Sequence, residues 1–325
     1  MSNSNTAAAG GDKISMQQRM KNFLCTDFPV LGLILVMIFF YIQTDGKIFS
    51  SFNLKSISQQ MYLFILGGLG CCFLFAQGAI DLSMAAAVGF AGIIGVRTML
   101  ATNVFVGVIV TLLCGCLVGA VNGFLYAKVG IPVFIQGMAM NFLLNGLLLP
   151  LCAGSATITA PKALTDFKSI AAEIVIEVIL FLVVAVIYNF TRFGKDCRAI
   201  GAGTSSAVQS GVNVERSKFM AFLISGFTCG LIAVMTLIRT GSASQTTGAN
   251  TNFNIMMAMV LGGALLSGGN GVKVRHAVIG AAILVIMQNG LVLWGINARV
   301  QDIIKGVLFV VMIVVTTKLS ARVEH

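Results

Sequence analysis

The chain has 325 residues, of which 57% are hydrophobic and 10% charged, with a formal net charge of +10 and a mean hydropathy of +0.95. A soluble domain carries about 25% charged residues. This composition therefore excludes a soluble globular enzyme, a disordered protein and a soluble nucleic-acid-binding protein, and leaves a polytopic helical domain solvated by membrane lipid.

Residues 1–27 are polar, with Asp12, Lys13, Arg19 and Lys21, and read as a cytoplasmic N-terminal segment. No small-residue cleavage site follows the first apolar run, so a cleavable signal peptide is not expected. From 28 to 318 the chain reads as a transmembrane domain, and 319–325 as a cytoplasmic tail. A membrane helix needs about 20 residues, and apolar length places ten spans: 28–42, 57–77, 82–101, 104–127, 131–153, 172–190, 217–238, 253–268, 277–294 and 303–317. The first, eighth and tenth are short, as in tilted or broken helices. An inside N-terminus puts 13 of the 21 Lys and Arg on the inner side, which favours both termini in the cytoplasm of a multi-pass inner-membrane protein. Asn122-Gly123 on span four and Asn289-Gly290 on span nine run in opposite directions, which allows two inverted repeats within this all-α architecture.

Spacing within the spans carries packing information. Gly115, Gly119 and Gly123 on span four, and Gly226 and Gly230 on span seven, recur every four residues, which lets helix backbones approach closely. The eight cysteines lie mostly in apolar runs without CxxC or Cys/His spacing, and read as small packing residues rather than metal ligands or disulfides.

Few residues can carry chemistry. There is no GxxxxGK[ST] phosphate loop, and no Ser/His/Asp or HExxH arrangement. Leu266-Ser267-Gly268-Gly269-Asn270 has the look of an ATP-cassette signature, but it sits at the end of an apolar run and reads as a helix break. Asp81 is the one acid set deep in an apolar stretch, within Gly78-Ala79-Ile80-Asp81-Leu82-Ser83. Two compatible readings stand: an N-cap for span three, or a polar point on a substrate path together with Ser83. Gln77, Gln136, Asn141, Asn145, Gln288 and Asn289 are neutral amides within spans. Amides both donate and accept, which suits a neutral, hydroxyl-rich solute and equally suits interhelical hydrogen bonds. The path candidates are Asp81, Ser83, Asn141, Asn145, Gln288 and Asn289.

The basic stretch 191–218 is the longest inner loop. Thr204 or Ser205 can cap a two-turn helix there, ended by Gly211. A short helix in such a loop is a docking element for a soluble partner, and the alternative is a solvated basic loop.

These motifs together carry a family resemblance. Gly78-Ala79-Ile80-Asp81-Leu82-Ser83 is similar to a GGIDLS element. Thr191-Arg192-Phe193-Gly194-Lys195, Ala199-Ile200-Gly201 and Ser210-Gly211-Val212-Asn213-Val214 follow a T-x-FGR…AIG…SGI-x-V pattern. Val260-Leu261-Gly262-Gly263, Leu266-Ser267-Gly268-Gly269, Asn289-Gly290-Leu291 and Ile303-Ile304-Lys305-Gly306 complete it, in order from about residue 53 to 317. The chain resembles the permease subunits of ribose-type (ribose, xylose, arabinose, galactoside) sugar ABC importers. It departs from them at Gly201–Ala207, which lacks the acids of the usual GGNEEAA.

The resemblance implies a non-catalytic permease that pairs as a homodimer or heterodimer. Cytoplasmic ABC ATPase subunits would bind the ATP, so the permease itself would need no cofactor. An extracytoplasmic sugar-binding protein would deliver the monosaccharide. Arg198, Gly201, Gly203, Ala207, Val208 and Gly211 become the candidate ATPase-coupling residues. Permeases for nucleosides or branched-chain amino acids share the general plan, and a secondary carrier is the reading from another class.

Overall fold

The computed structural model describes residues 16–321 apart from 153, 154, 156, 168, 267 and 270, with side chains from 28 to 318. Residues 1–15 of the N-terminal segment and 322–325 of the tail lie outside the described residues. Among the described residues the chain forms thirteen α-helices and a single two-stranded ribbon. Eight helices are long and apolar enough to cross a membrane, and Phe28–Gln43 and Thr251–Leu261 are shorter apolar helices. These ten correspond one to one with the ten spans expected. The chain is an all-α multi-pass membrane protein.

Helix α1 spans Met16–Gln43 and so begins well before the expected first span. Met16–Asp27 contains no Gly or Pro to interrupt it. α2 (Ser51–Ala76) starts on Ser50, whose side chain accepts from Asn53 N. α3 is Met84–Ala101, and α4, Val104–Phe124, runs on through a π-turn at Leu125–Val129. α5 (Val133–Leu151) is followed by strand β1 (Thr157–Thr159), the single-turn α6 (Lys162–Thr165) and α7 (Ile170–Phe190). The basic loop is almost wholly helical: α8 (Arg192–Ala202) and α9 (Thr204–Gln209). α10 (Val214–Thr240) leads to β2 (Ser242–Ser244), and α11, α12 and α13 cover Thr251–Leu261, Arg275–Leu293 and Ala298–Ala321.

The eighth span corrects the sequence expectation. It was expected over 253–268, but the helix stops at Leu261. Gly263, Gly268 and Gly269 hold φ of +98°, +71° and +113° there, outside any helix. Such backbone is open to glycine and strained for other residues. α11 is therefore a half-length helix.

α2, α3, α4 and α10 form the centre, and α11 and α12 pack against α2. The α4–α10 contact is the most extensive, and the glycine spacing lets the two backbones approach closely. A Cβ built on Gly226 would lie 2.8 Å from Gly119 Cα, and one on Gly115 would lie 2.8 Å from Gly230 Cα. Only glycine leaves room for backbones this close, and in lipid such contact and the hydrogen bonds around it hold helices together. α5, α7 and α13 bury little of their surface, and expose residues such as Leu143, Ile179 and Val310. Those faces fit lipid tails or a second membrane subunit.

Gly119→Val should therefore destabilise the fold by about 1–3 kcal/mol or more, since overpacking a tight contact forces backbone shifts. Gly32→Ala, where an added Cβ meets nothing within 4 Å, is the control. Thermal unfolding of the purified variants in detergent checks this: Gly119→Val should melt well below wild type, and Gly32→Ala beside it.

Candidate functional site: a polar cavity at two broken helices

The chain leaves α2 at Ala76, turns at Gly78 (φ +74°) and re-enters the bundle before α3 begins at Met84. Asp81 holds this stretch. One carboxylate oxygen accepts Ser83 N at 2.9 Å and Ser83 Oγ at 2.6 Å, and the other accepts Ser225 Oγ of α10 at 3.3 Å. Asn122 of α4 donates to Ser83 Oγ at 2.7 Å. Ser225 is the twelfth residue of α10, so at 1.5 Å rise per residue this knot lies roughly 16 Å into the bundle.

The cap expectation is adjusted by this geometry. Ser83 occupies the N-cap position of α3 and makes no side-chain cap bond. Asp81 stands two residues earlier and closes a turn through the Ser83 N–H, so it fixes the path of the break rather than the helix end.

A second break faces the first. Ribbon β1–β2 pairs Thr157–Thr159 antiparallel with Ser242–Ser244. From β2 the chain drops onto α3: a Cβ on Gly248, at φ +84°, would lie 2.6 Å from Ala85 O. α11 then starts beside Leu82. Leu82 O accepts Asn252 Nδ2 of α11 at 3.1 Å and Asn141 Nδ2 of α5 at 2.9 Å. One backbone carbonyl thus ties together α3, α5 and α11. Non-helical backbone at membrane depth is tolerated where it is buried in protein or lines a polar cavity.

It does line one. A cavity of about 310 Å³ is bounded by Leu82, Asn141, Asn145, Gln245, Thr247, Asn250 and Asn252, with Phe142 and Phe253 adding aromatic surface. Among the described residues no charged side chain lines it. Asn145 Nδ2 donates to Asn141 Oδ1 at 2.8 Å, leaving its own Oδ1 available.

The structure sorts the path candidates into three groups. Asn141 and Asn145 line the cavity. Asp81 and Ser83 are buried behind its wall, 4% and 0% exposed. Gln288 and Asn289 lie apart on α12, where Asn289 exchanges hydrogen bonds with Gln60 of α2 at 3.2–3.3 Å. Sequence reasoning missed Gln245, Asn250 and Asn252. Asn250 has φ +61°, and the dense Thr, Asn and Gly run of 246–254 is the signal that marked this loop.

Two further acids, Glu173 and Glu177, are on α7. Glu173 is buried and lines a separate, mostly apolar space of about 540 Å³ bounded by α4, α6, α7 and α10.

The coupling candidates also divide. Arg198 is turned inward, donating to Tyr188 O at 2.9 Å with its guanidinium 4.9 Å from the Tyr188 ring centre. Gly201 lies against Ala76 and Gly269. Ala207 is buried at 2% exposed, whereas Val208 is 57% exposed. The N-cap of α9 is Gly203, neither Thr204 nor Ser205, and Gly211, at φ +78°, follows its end. Val212 N donates to Ala207 O and Gly211 N to Val208 O, the closure of a glycine-ended helix.

A bundle of apolar spans around a cavity at two helix breaks is the architecture of a multi-pass membrane protein with a polar site inside it. The comparison with known proteins gives the class. Residues 53–314 match the family described as "Branched-chain amino acid transport system / permease component", and the chain belongs to that family. It is 28% identical to the ribose import permease protein RbsC of Escherichia coli K12 over 88% of this chain and 92% of that one. It is 28% identical to RbsC of Bacillus subtilis 168, covering 90% and 93%. To the xylose transport system permease protein XylH of E. coli K12 it is 25% identical, covering 87% and 89%. No solved structure matches it.

Asp81→Leu should strand the Ser83 N–H and the Ser83 and Ser225 hydroxyls, at about 1–3 kcal/mol for each buried group left unpaired. Asp81→Asn keeps an oxygen acceptor and should fall between Leu and wild type. Melting temperatures of the three proteins in one detergent check the ranking.

Proposed function

We propose that the chain is the translocating subunit of an ATP-driven importer for a monosaccharide. The observation that carries this reading is the cavity lining: neutral amides and the Thr247 hydroxyl beside Phe142 and Phe253, with no charged side chain among the described residues. A sugar ring offers hydroxyls to donate and accept, and an apolar face to lie on an aromatic ring. A zwitterionic amino acid would bring a carboxylate and an ammonium into a site without countercharges, a costly burial. The ribose and xylose names of the relatives support the same cargo.

In this reading the permease performs no chemistry. Two permeases, alike or different, pair in the membrane. Cytoplasmic ATPase subunits bind and hydrolyse ATP, and an extracytoplasmic binding protein presents the sugar. Both termini and α8–α9 face the cytoplasm, and β1–β2 faces outward, as the distribution of Lys and Arg favours. The transmembrane domain is 28–318, with 191–218 as the coupling segment. Val208 is the apolar anchor for the ATPase, flanked by Gly203 and Gly211, while Arg198, Gly201 and Ala207 hold α8 and α9 in place from within.

The direct test is uptake into proteoliposomes that hold the permease and its ATPase, with the binding protein and ATP supplied. Ribose or xylose should accumulate only with ATP. Uptake of leucine or a nucleoside and of no monosaccharide would overturn the cargo. In the same system Asn145→Leu should raise KM about tenfold, the effect of one lost hydrogen bond of about 1.4 kcal/mol, with expression unchanged.

Val208→Asp should leave a folded, membrane-inserted protein, because the side chain projects from the bundle, yet abolish copurification with the ATPase. An interface of this size rests on a few anchors, and an unpaired buried charge costs several kcal/mol. Pull-down of the ATPase with wild-type and variant permease measures it.

A further inference from the structure

Gln77 follows the last residue of α2 and stands where three elements meet. Its Nε2 donates to Cys197 Sγ of α8 at 3.0 Å and to Ser217 O of α10 at 3.1 Å. The side chain is 6% exposed. Burial pushes the Cys197 thiol up to about 12, so the sulfur is an uncharged acceptor at neutral pH. Gln77 Oε1 is buried and has no hydrogen-bond partner.

The surroundings make this position a junction. α8 rests directly on the end of α2, where a Cβ on Gly201 would lie 3.0 Å from Ala76 C and 2.9 Å from Gly269 Cα. Gly269 N donates to Phe75 O at 3.0 Å, and Gly268 lies on Gly78, where its Cβ would be 2.5 Å from Gly78 Cα. Four residues after Gln77 is Asp81, and the next residue, Leu82, is the cavity wall. Val208, at the outer side of the α8–α9 pair, and Leu82, at the cavity, are thus separated by one short stretch of backbone. Among the described residues, Gln77 is the side chain of that stretch hydrogen-bonded to both α8 and α10.

We propose that Gln77 is a positioning residue that passes displacement of α8–α9 to the break at Gly78–Ser83, and so couples ATP hydrolysis in the partner to opening of the cavity. The proposal rests on the reading of α8–α9 as the ATPase contact. The chemistry suits a tie that breaks and re-forms. An amide to a thiol sulfur is a weak hydrogen bond, so α8 can leave it at small cost. A buried acceptor without a partner is an unfavourable state, and a shifted α8 or α10 that offers Oε1 a donor relieves it. The role proposed here requires a second arrangement of the tie, in which Oε1 gains a donor, because a switch is transmitted by an element with two discrete states. The glycine contacts around it keep α8 in register while the tie exchanges.

The test uses the assembled transporter in proteoliposomes, with basal ATP hydrolysis, hydrolysis stimulated by the loaded binding protein, and sugar transported all measured together. Gln77→Leu keeps the volume and removes both donors. It should copurify with the ATPase and retain basal hydrolysis, while sugar moved per ATP falls at least tenfold. Cys197→Ser preserves an acceptor and should stay near wild type, whereas Cys197→Ala cuts the tie from the α8 side and should uncouple like Gln77→Leu. If Gln77→Leu yields no folded protein, Cys197→Ala is read in its place. Wild-type coupling in the folded Gln77→Leu and in Cys197→Ala overturns the proposal, as does equal uncoupling by Cys197→Ser, which would mark α8 packing alone. If Val208→Asp itself keeps full copurification and uptake, the α8–α9 docking reading fails first. If Val208→Asp loses both while Gln77→Leu couples normally, only the role of Gln77 fails.

Discussion

The distance between α4 and α10 is set by glycine backbones in contact, and the polar interior of the protein is arranged around that distance. Gly115 and Gly119 meet Gly226 and Gly230 with no side chain between. This brings Ser225 of α10 and Asn122 of α4 to either side of the Asp81–Ser83 turn, within hydrogen-bond reach of it. A wider separation would cost the Ser225 hydroxyl and the Asn122 amide their buried partners in this turn, and unpaired polar groups are costly in a membrane interior. The close packing of small residues and the burial of the one deep acid are therefore one arrangement.

Two helices that begin inside the bundle create the cavity. α3 starts after a re-entrant stretch from one side, and α11 after a loop from the other, and they meet at the carbonyl of Leu82. Helix starts carry the positive end of the helix dipole, and the flank of α11 supplies Gln245, Thr247, Asn250 and Asn252 to the cavity, opposite Asn141 and Asn145 of α5. Both breaks use glycine where the backbone turns back, Gly78 and Gly248. The same logic ends α11 at Leu261, where the glycine-rich turn lies against the end of α2 and α8. The cavity wall at Leu82 and α8 thus both adjoin the short stretch that follows α2.

The stretch 191–218 shows how a basic, loop-like composition hides order. Read by charge, it is an orientation signal. In three dimensions α8 is clamped by Arg198 on Tyr188 and by Gly201 on Ala76, and Ala207 is the buried residue of α9. Val208, by contrast, is left 57% exposed among the described residues.

The sequence alone determined the class, the number of membrane helices and the tight seam. Apolar length and glycine spacing are local properties, and lipid forces every backbone polar group in such a run to pair within its own helix. It also singled out Asp81, because one acid in a long apolar stretch must be paired or exposed to a polar space. What it left open were assignments that depend on which helix faces which. Asn141 and Asn289 are the same residue type in similar surroundings along the chain, yet one lines a cavity and the other bonds Gln60 across a helix pair. Ala207 and Val208 are neighbours, yet one is buried and the other projects. The half-length of α11 and the cavity role of Asn250 and Asn252 follow from a loop dropping onto α3. Hydrogen-bond partners and exposure are decided by contacts between segments distant in the chain, and composition along a single segment carries no record of what packs against it.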